Sequence, residues 1–408
     1  MTTTAIPAET NTRLYIIALL SLTAVQMLST VAFNIAAVLA PAAAPALGVA
    51  ADDVAYYVAL VYLVSICAAM AGGPMALRLG AVRLTQCALA VSAIGCMALA
   101  SGQLALAILS ALIVGLGGGP LTAASSQILA RVTPSRLSNI TFSIKQSGVP
   151  LGFALGGALV PMSVERYGWQ AVAAGVGVIC VATALALQPL RPLYDTGASR
   201  RGRLLPTLYQ IIDPLKLAWA DPVLRRLCLA AISFSSMQAT IVNFMILYGI
   251  NGHQLDYVAA GIVLAFATAA GMFGRVFWGA LADLTRRPLT MLAVLGLAMT
   301  AGGFALAAAE PGWPSWLLHA VAVALGGSAI GWNGVFISEC ARRAPPGRAG
   351  EFVGATSLFV FLGPVVWPVL FRAILYLTHS YPAGFAIMAA ATGVSAMAIA
   401  RLLRSGER

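Results

Sequence analysis

Leu104–Ala130 reads LALAILSALIVGLGGGPLTAASSQILA, a run of 27 residues without one acidic or basic side chain. About 20 mostly apolar residues suffice for a helix to cross the hydrocarbon core of a bilayer. The other spanning structure, a closed β-barrel, needs segments of about ten residues that alternate apolar and polar. Here Ala, Leu, Gly and Val follow one another without alternation. The stretch reads as a membrane-spanning helix.

Working outward, eleven further stretches have the same character: 14–40, 54–77, 84–101, 139–162, 169–188, 227–249, 257–282, 290–308, 315–339, 351–376 and 381–403. With 104–130 as span 4, they are numbered spans 1 to 12 in chain order. The chain of 408 residues is 60% hydrophobic and only 9% charged. Soluble domains carry about 25% charged residues. So few charges cannot cover a surface facing water, and lipid must be the main solvent. The polar segment Met1–Thr12 and the length of the first apolar run argue against a cleaved signal peptide. Span 1 is expected to be retained.

The net charge of +11 invites a nucleic-acid reading. Its distribution argues otherwise. With the N-terminus in the cytoplasm, Arg13, Arg78, Arg83, Arg131, Arg136, the segment Arg191–Arg226, Arg286, Arg287, Arg342, Arg343, Arg348, Arg401, Arg404 and Arg408 all fall inside. The other face receives Arg166, with Arg372 near it. Cytoplasmic loops carry an excess of Lys and Arg. The charge therefore reports topology: a multi-pass protein of a bacterial-type inner membrane with both termini cytoplasmic, partnered by lipid and not by nucleic acid. The six cysteines, Cys67, Cys87, Cys96, Cys180, Cys228 and Cys340, lie in spans or at their ends, without metal-site spacing. They read as small hydrophobes.

The longest polar segment, Gln188–Asp221, holds Arg191, Arg200, Arg201, Arg203 and Lys216 with Pro189, Pro192, Pro206 and Pro214. It divides the chain into a six-helix bundle at 1–188, a cytoplasmic linker at 189–226 and a second six-helix bundle at 227–408. Within the linker, Leu208–Ala220 is expected to form an amphipathic helix on the membrane surface. The two halves repeat one another. Gly115, Ser126, Gln127, Arg131, Pro134, Ser135 and Arg136 correspond to Gly327, Ser338, Glu339, Arg343, Pro346, Gly347 and Arg348, each pair 212 positions apart. The loop Gly73…Arg78-Leu79-Gly80…Arg83 is echoed by Gly279…Asp283…Arg286-Arg287. Such duplication is common in transporter folds, where the solute site lies between the repeats near the midplane. The expected fold class is an all-α polytopic membrane protein with 12 transmembrane helices in two pseudo-symmetric bundles.

These residues carry a resemblance. Gly279-Ala280-Leu281-Ala282-Asp283-Leu284-Thr285-Arg286-Arg287 resembles the signature loop of the major facilitator superfamily, a Gly-x-x-x-Asp-Arg-x-Gly-x-x-Arg pattern. The first-half copy, Gly73 to Arg83, departs from it, because Leu77 stands where the acid is expected. The resemblance implies a conformational latch on the cytoplasmic side built from Gly73, Arg78, Gly80, Arg83, Gly279, Asp283, Arg286 and Arg287. The missing acid puts the first-half latch in doubt. Gly274-Arg275 and the stretch Phe142–Gly152 are similar to bacterial organic-anion porters of oxalate/formate antiporter-like, monocarboxylate or cyanate/nitroimidazole type. The resembled fold works as a monomer, and nothing in the sequence demands an oligomer.

An ionisable residue well inside a span is expensive and marks a functional site by default. Lys145 lies six residues into span 5, roughly 9 Å past its start. Arg275 lies eight residues before Asp283, roughly 12 Å from that end. No intramembrane acid stands near either in sequence. In the resembled architecture spans 5 and 8 face each other, so the two cations approach one site. An anion would neutralise them, and a carboxylate suits an Arg fork beside a Lys point charge. The bland reading is that each cation reaches the interface or bonds helix carbonyls. Arg372 reads as an interfacial anchor. Glu339 and Glu351 read as loop ion-pair partners.

Uncharged polar residues form stripes: Gln26, Thr30 and Asn34 on span 1, and Ser236, Thr240 and Asn243 on span 7 with Gln238 nearby. Span 10 carries Trp332-Asn333. Gln26, Asn34, Gln238, Asn243, Trp332 and Asn333 are candidate cavity-lining residues beside Arg275 and Lys145. The same groups can serve as glue between helices. Tyr56, Tyr57 and Tyr62 read as interface-belt or gate residues. Gly148-Val149-Pro150 and Gly363-Pro364 are expected to bend their helices. Gly117-Gly118-Gly119 and Gly326-Gly327 lack the Lys-Ser/Thr of a phosphate loop, which argues against an ATP-driven pump. No cofactor is implied. His253, His319 and His379 have no acid cluster beside them, which argues against an enzyme.

The leading reading is a secondary active transporter for a small organic anion, with a co-transported proton or a counter-anion as partner. A proton-driven drug or metabolite exporter is the alternative within the family. A channel or membrane sensor is the alternative outside it.

Overall fold

The computed structural model describes residues 8–134, 137–195, 208–345 and 348–404. Ser135, Arg136, Arg200, Arg201, Arg203, Pro206, Pro346, Gly347 and Arg408 lie outside the described residues, as do the side chains of Glu351 and Arg404. Twelve described helices are long and apolar enough to span a membrane.

Without water, every backbone N–H and C=O must be satisfied within the span, and a helix does this alone. The chain runs as α1 (Ala8–Leu47), α2 (Val54–Leu79), α3 (Ala81–Ala100), α4 (Leu104–Val132), α5 (Ser138–Tyr167) and α6 (Trp169–Ala186). After the short α7 (Arg191–Tyr194) come α8 (Leu208–Ala220), with the bounds expected for the linker helix, and α9 (Pro222–His253). Then follow α10 (Tyr257–Thr285), α11 (Pro288–Ala307), α12 (Ser315–Ala329), α13 (Asn333–Arg343), α14 (Ala349–Thr378) and α15 (Tyr381–Arg404).

Several helices depart from the apolar limits, and two of the departures matter for the site. α9 begins at Pro222 rather than 227 because Asp221 caps it, accepting the N–H groups of Val223 (2.7 Å) and Leu224 (3.1 Å). Span 10 is two helices, α12 and α13, broken at Ile330–Trp332. α5 and α14 run on through Pro150 and Pro364 as single helices.

Small residues set the helix spacing. A Cβ at Gly119 of α4 would stand 2.6 Å from the Ser65 carbonyl of α2. Gly326 of α12 packs directly on the Ala267 carbonyl of α10. The outward faces carry Ile94, Val178, Leu185, Phe273, Val276 and Val394, all exposed and apolar, as lipid requires. α1 to α6 pack chiefly on one another and α9 to α15 likewise. α5 meets α10 and α2 meets α14 in extended interfaces between the two groups.

Candidate functional site

Lys145 lies on α5 and is fully buried. Among the described residues its Nζ donates only to the Gln146 Oε1, at 3.4 Å. Arg275 projects from α10 where Gly274 lies against the Gly327 carbonyl of α12. Its Nε donates to the Ile330 carbonyl (3.0 Å), a group set free where span 10 breaks. Its Nη1 donates to the Gln146 carbonyl of α5 (3.2 Å). Both cations therefore converge on Gln146. Neither is paired with a carboxylate among the described residues.

Gln26 of α1 joins them. Gly148, one turn beyond Lys145, packs against it, so that a Cβ there would meet the Gln26 Cβ at 3.1 Å. Among the described residues the buried Gln26 Oε1 has no partner. Asn34 sits eight positions further along α1, with its Nδ2 also unpartnered among those residues. On α9, the Asn243 Nδ2 donates to the Ala239 carbonyl (2.7 Å), while its Oδ1 has no partner among the described residues. Gln238 and Asn333 are half-buried.

Trp332 lies at the break in span 10. It is wholly buried, edge-on to Phe234 of α9 (5.5 Å between ring centres) and tilted on Phe336 (5.4 Å). The two phenyl rings suit the apolar body of the indole, while its buried Nε1 has no hydrogen-bond partner among the described residues. A cavity of about 440 Å³ also lies away from the cations, between α1, α2 and α4, lined by apolar groups such as Ala40, Leu60 and Ile108.

Sequence reasoning passed over Gln146, which is uncharged, and the freed Ile330 carbonyl, which no side chain marks. It also passed over Trp367 on α14, whose buried Nε1 has no partner among the described residues. Glu339 is wholly buried, held by Arg342 (2.7 and 2.8 Å) and Arg343 (2.6 Å). Arg372, read as an anchor, forms an ion pair with Asp53 (2.8 Å). Tyr57 hydrogen-bonds Ser110 (2.9 Å), Tyr62 packs edge-on to Phe33, and Tyr56 is exposed.

The expected latch residues divide. At the first loop Gly80 has φ +95° and lies against the Asp195 carboxylate, which accepts the N–H groups of Val82 (2.8 Å) and Arg83 (3.1 Å). The Gln127 amide holds the Gly73 carbonyl (3.0 Å), Arg78 is half-buried, and the Arg83 side chain is exposed beside Gln86 (3.5 Å). At the second loop Asp283, Arg286 and Arg287 are exposed, and Gly279 faces open space. Asp283 forms no ion pair among the described residues.

Two uncharacterised MFS-type transporters of Mycobacterium tuberculosis, from strains CDC 1551 / Oshkosh and ATCC 25618 / H37Rv, are each 24% identical over 274 residues, 67% of this chain. The match spans 59% of the length of those relatives. Among solved structures, the nucleoside transporter NupG superposes with TM-score 0.77 at 14% identity, covering 94% of this chain and 99% of its own. The peptide transporter POT in complex with sulfate gives 0.75 at 18%, covering 95% and 94%. The family model described as Major Facilitator Superfamily matches residues 22–368. The chain belongs to the Major Facilitator Superfamily.

Proposed function

We propose that the chain is a secondary active transporter moving a small organic anion, a carboxylate, by alternating access. The observation that carries this reading is Lys145, a fully buried cation with no carboxylate partner among the described residues, set beside Arg275 on the shared Gln146. An uncompensated buried charge is strongly destabilising. A bound carboxylate would compensate it, with Arg275 supplying a fork and Lys145 a point charge. Gln26, Asn34, Asn243 and Gln238 would meet the rest of the solute, with Asn333 at the break in span 10. Trp332 would support that wall from behind.

In this reading residues 1–188 and 227–408 are the two rocking bundles, joined by the cytoplasmic linker 189–226. The termini lie in the cytoplasm of a bacterial-type inner membrane, and the protein works as a monomer. The loops Gly73–Arg83 and Gly279–Arg287 act as the cytoplasmic latch. A proton or a counter-anion is the coupled species. A membrane enzyme is no part of this reading, since the named relatives are transporters. Proton-driven export would draw on a free buried carboxylate. Glu339 is the buried acid at hand, and its two arginines already hold it.

The test is uptake into proteoliposomes of a panel of radiolabelled small carboxylates, with and without a pH gradient. Saturable uptake is expected, reduced on the order of 100-fold in Arg275→Ala, since a hydrogen bond to a charged group contributes about 1.5–3 kcal/mol. The response to the gradient separates symport from exchange. Normal transport by Arg275→Ala, or flux of lipophilic cations in place of carboxylates, would overturn the reading.

A further inference from the structure

α5 contains two residues that cannot complete its own hydrogen bonds. In an α-helix each C=O accepts the N–H four residues on. Proline has no N–H, and its ring presses on the carbonyl four residues back. Pro150 and Pro161 both lie inside α5. They deprive Gln146 and Gly157 of that partner. The two prolines stand about three turns apart, so both carbonyls leave the helix on one face.

That face meets α10. A Cβ at Gly261 of α10 would fall on the Gly157 carbonyl and, at 2.7 Å, on the Pro161 ring, so the two backbones touch there. Further along, the Gln146 carbonyl accepts the Arg275 Nη1 (3.2 Å). Inside a span an unpaired carbonyl is costly, because no water can replace the lost donor. At Gln146 the replacement is the guanidinium.

Arg275 is held from its other side as well. Its Nε donates to the Ile330 carbonyl (3.0 Å), which the break in span 10 leaves free. Each half of the chain thus offers one carbonyl that its own helix does not use, and Arg275 takes both. A guanidinium is planar, with five N–H groups in a fixed fork. Two acceptors therefore fix its plane as well as its place. The remaining N–H groups, on Nη1 and Nη2, have no acceptor among the described residues. They form the end of the fork, which meets the two oxygens of a carboxylate in parallel.

We infer that Pro150 is a positioning residue for Arg275: by withholding an N–H it leaves the Gln146 carbonyl to the guanidinium and so sets the edge that Arg275 presents to the solute. The inference rests on the carboxylate reading of the site. Pro150 touches no solute in it and acts only through Gln146.

The test reads the guanidinium directly, so it is separable from the solute assignment. The full chain, carrying isotope-labelled arginine, is studied by nuclear magnetic resonance in lipid nanodiscs. The Arg275 signals are assigned by their loss in Arg275→Lys. Slow rotation about the Cζ–Nη1 bond and downfield Nε and Nη1 protons are expected in the natural chain. Pro150→Ala supplies the missing N–H to the Gln146 carbonyl. The Nη1 signature should then be lost, while the Nε signature, which depends on Ile330, stays. Alanine placed there as its ester analogue, with oxygen in place of the N–H, should restore the Nη1 signature although the proline ring is gone. An Nη1 signature absent from the natural chain, unchanged in Pro150→Ala, or not restored by the ester would overturn the inference. Should Pro150→Ala fail to purify, Pro150→Gly restores the same N–H and decides the matter in the same way. For the panel carboxylate of highest uptake, KM should rise about tenfold in Pro150→Ala, the effect of losing a hydrogen bond to a charged group, with kcat changing less. An unmoved KM beside a released Nη1 would also overturn the inference. If no carboxylate moves even in the natural chain, the solute reading falls and the resonances alone decide the positioning.

Discussion

The loop after α2 and the loop after α10 carry one sequence pattern, with Gly73, Leu77 and Gly80 in the first standing where Gly279, Asp283 and Arg286 stand in the second. Both chains turn at the last of these positions with a left-handed backbone, φ +95° at Gly80 and +52° at Arg286. There the likeness stops. In the first loop the expected acid is missing, and Asp195, more than a hundred residues on, supplies a carboxylate to the start of α3. A carboxylate on free helix N–H groups is a favoured cap. Arg191 stands 3.9 Å from it, and Tyr194 beside it ties its hydroxyl to the Leu14 carbonyl (2.6 Å). In the second loop the acid is present, yet Asp283 is exposed and forms no ion pair among the described residues. A motif fixes the turn of the chain. Which charge secures it depends on what the fold brings alongside.

The sharpest way to break this comparison is Gly80→Ala. The backbone there is one that side chains rarely adopt, and the new Cβ would collide with the Asp195 carboxylate. A residue forced into such a region costs on the order of 1–3 kcal/mol. The melting temperature in detergent should fall by several degrees. The same change at Gly279, which faces open space inside α10, should not lower it.

Asp195→Ala should have the next largest effect. It removes the cap on α3 and leaves the Val82 and Arg83 N–H groups without that carboxylate, at about 1 kcal/mol. It also opens the space into which the Gly80 Cβ would project. The two substitutions should therefore couple: Gly80→Ala made on Asp195→Ala should cost less than on the natural chain. Strict additivity of the two melting shifts would show that Asp195 does not press on Gly80.

These residues also mark what could be read from the chain alone. The spans were legible because hydrocarbon tolerates almost nothing but long apolar runs. Lys145 and Arg275 stood out because a charge there is costly. The linker helix was legible from its amphipathic pattern. Asp195 was not, because its work is done on residues distant in sequence. Asp53 and Arg372 were hidden for the same reason, as partners 319 positions apart that each look unremarkable singly. The break in span 10 was hidden because Gly331 in an apolar run looks like any packing glycine. The surroundings of Trp332 were not legible, because an indole packed on phenyl rings and one facing a cavity look alike in sequence.

The smallest effect, and the one that tests the turn apart from its charges, is Arg286→Gly. Arg286 closes α10 at φ +52°, the position after a helix where glycine is ordinarily favoured. Its side chain is exposed, so little packing is lost. Glycine removes the steric cost of the left-handed backbone but adds freedom to the unfolded chain. The two oppose, and the left-handed penalty of about 1–2 kcal/mol is the larger. A gain of under about 1 kcal/mol is expected, seen as a small rise in melting temperature. A fall would mean that the Arg286 guanidinium holds the second loop after all, and that the two loops are secured by charge alike.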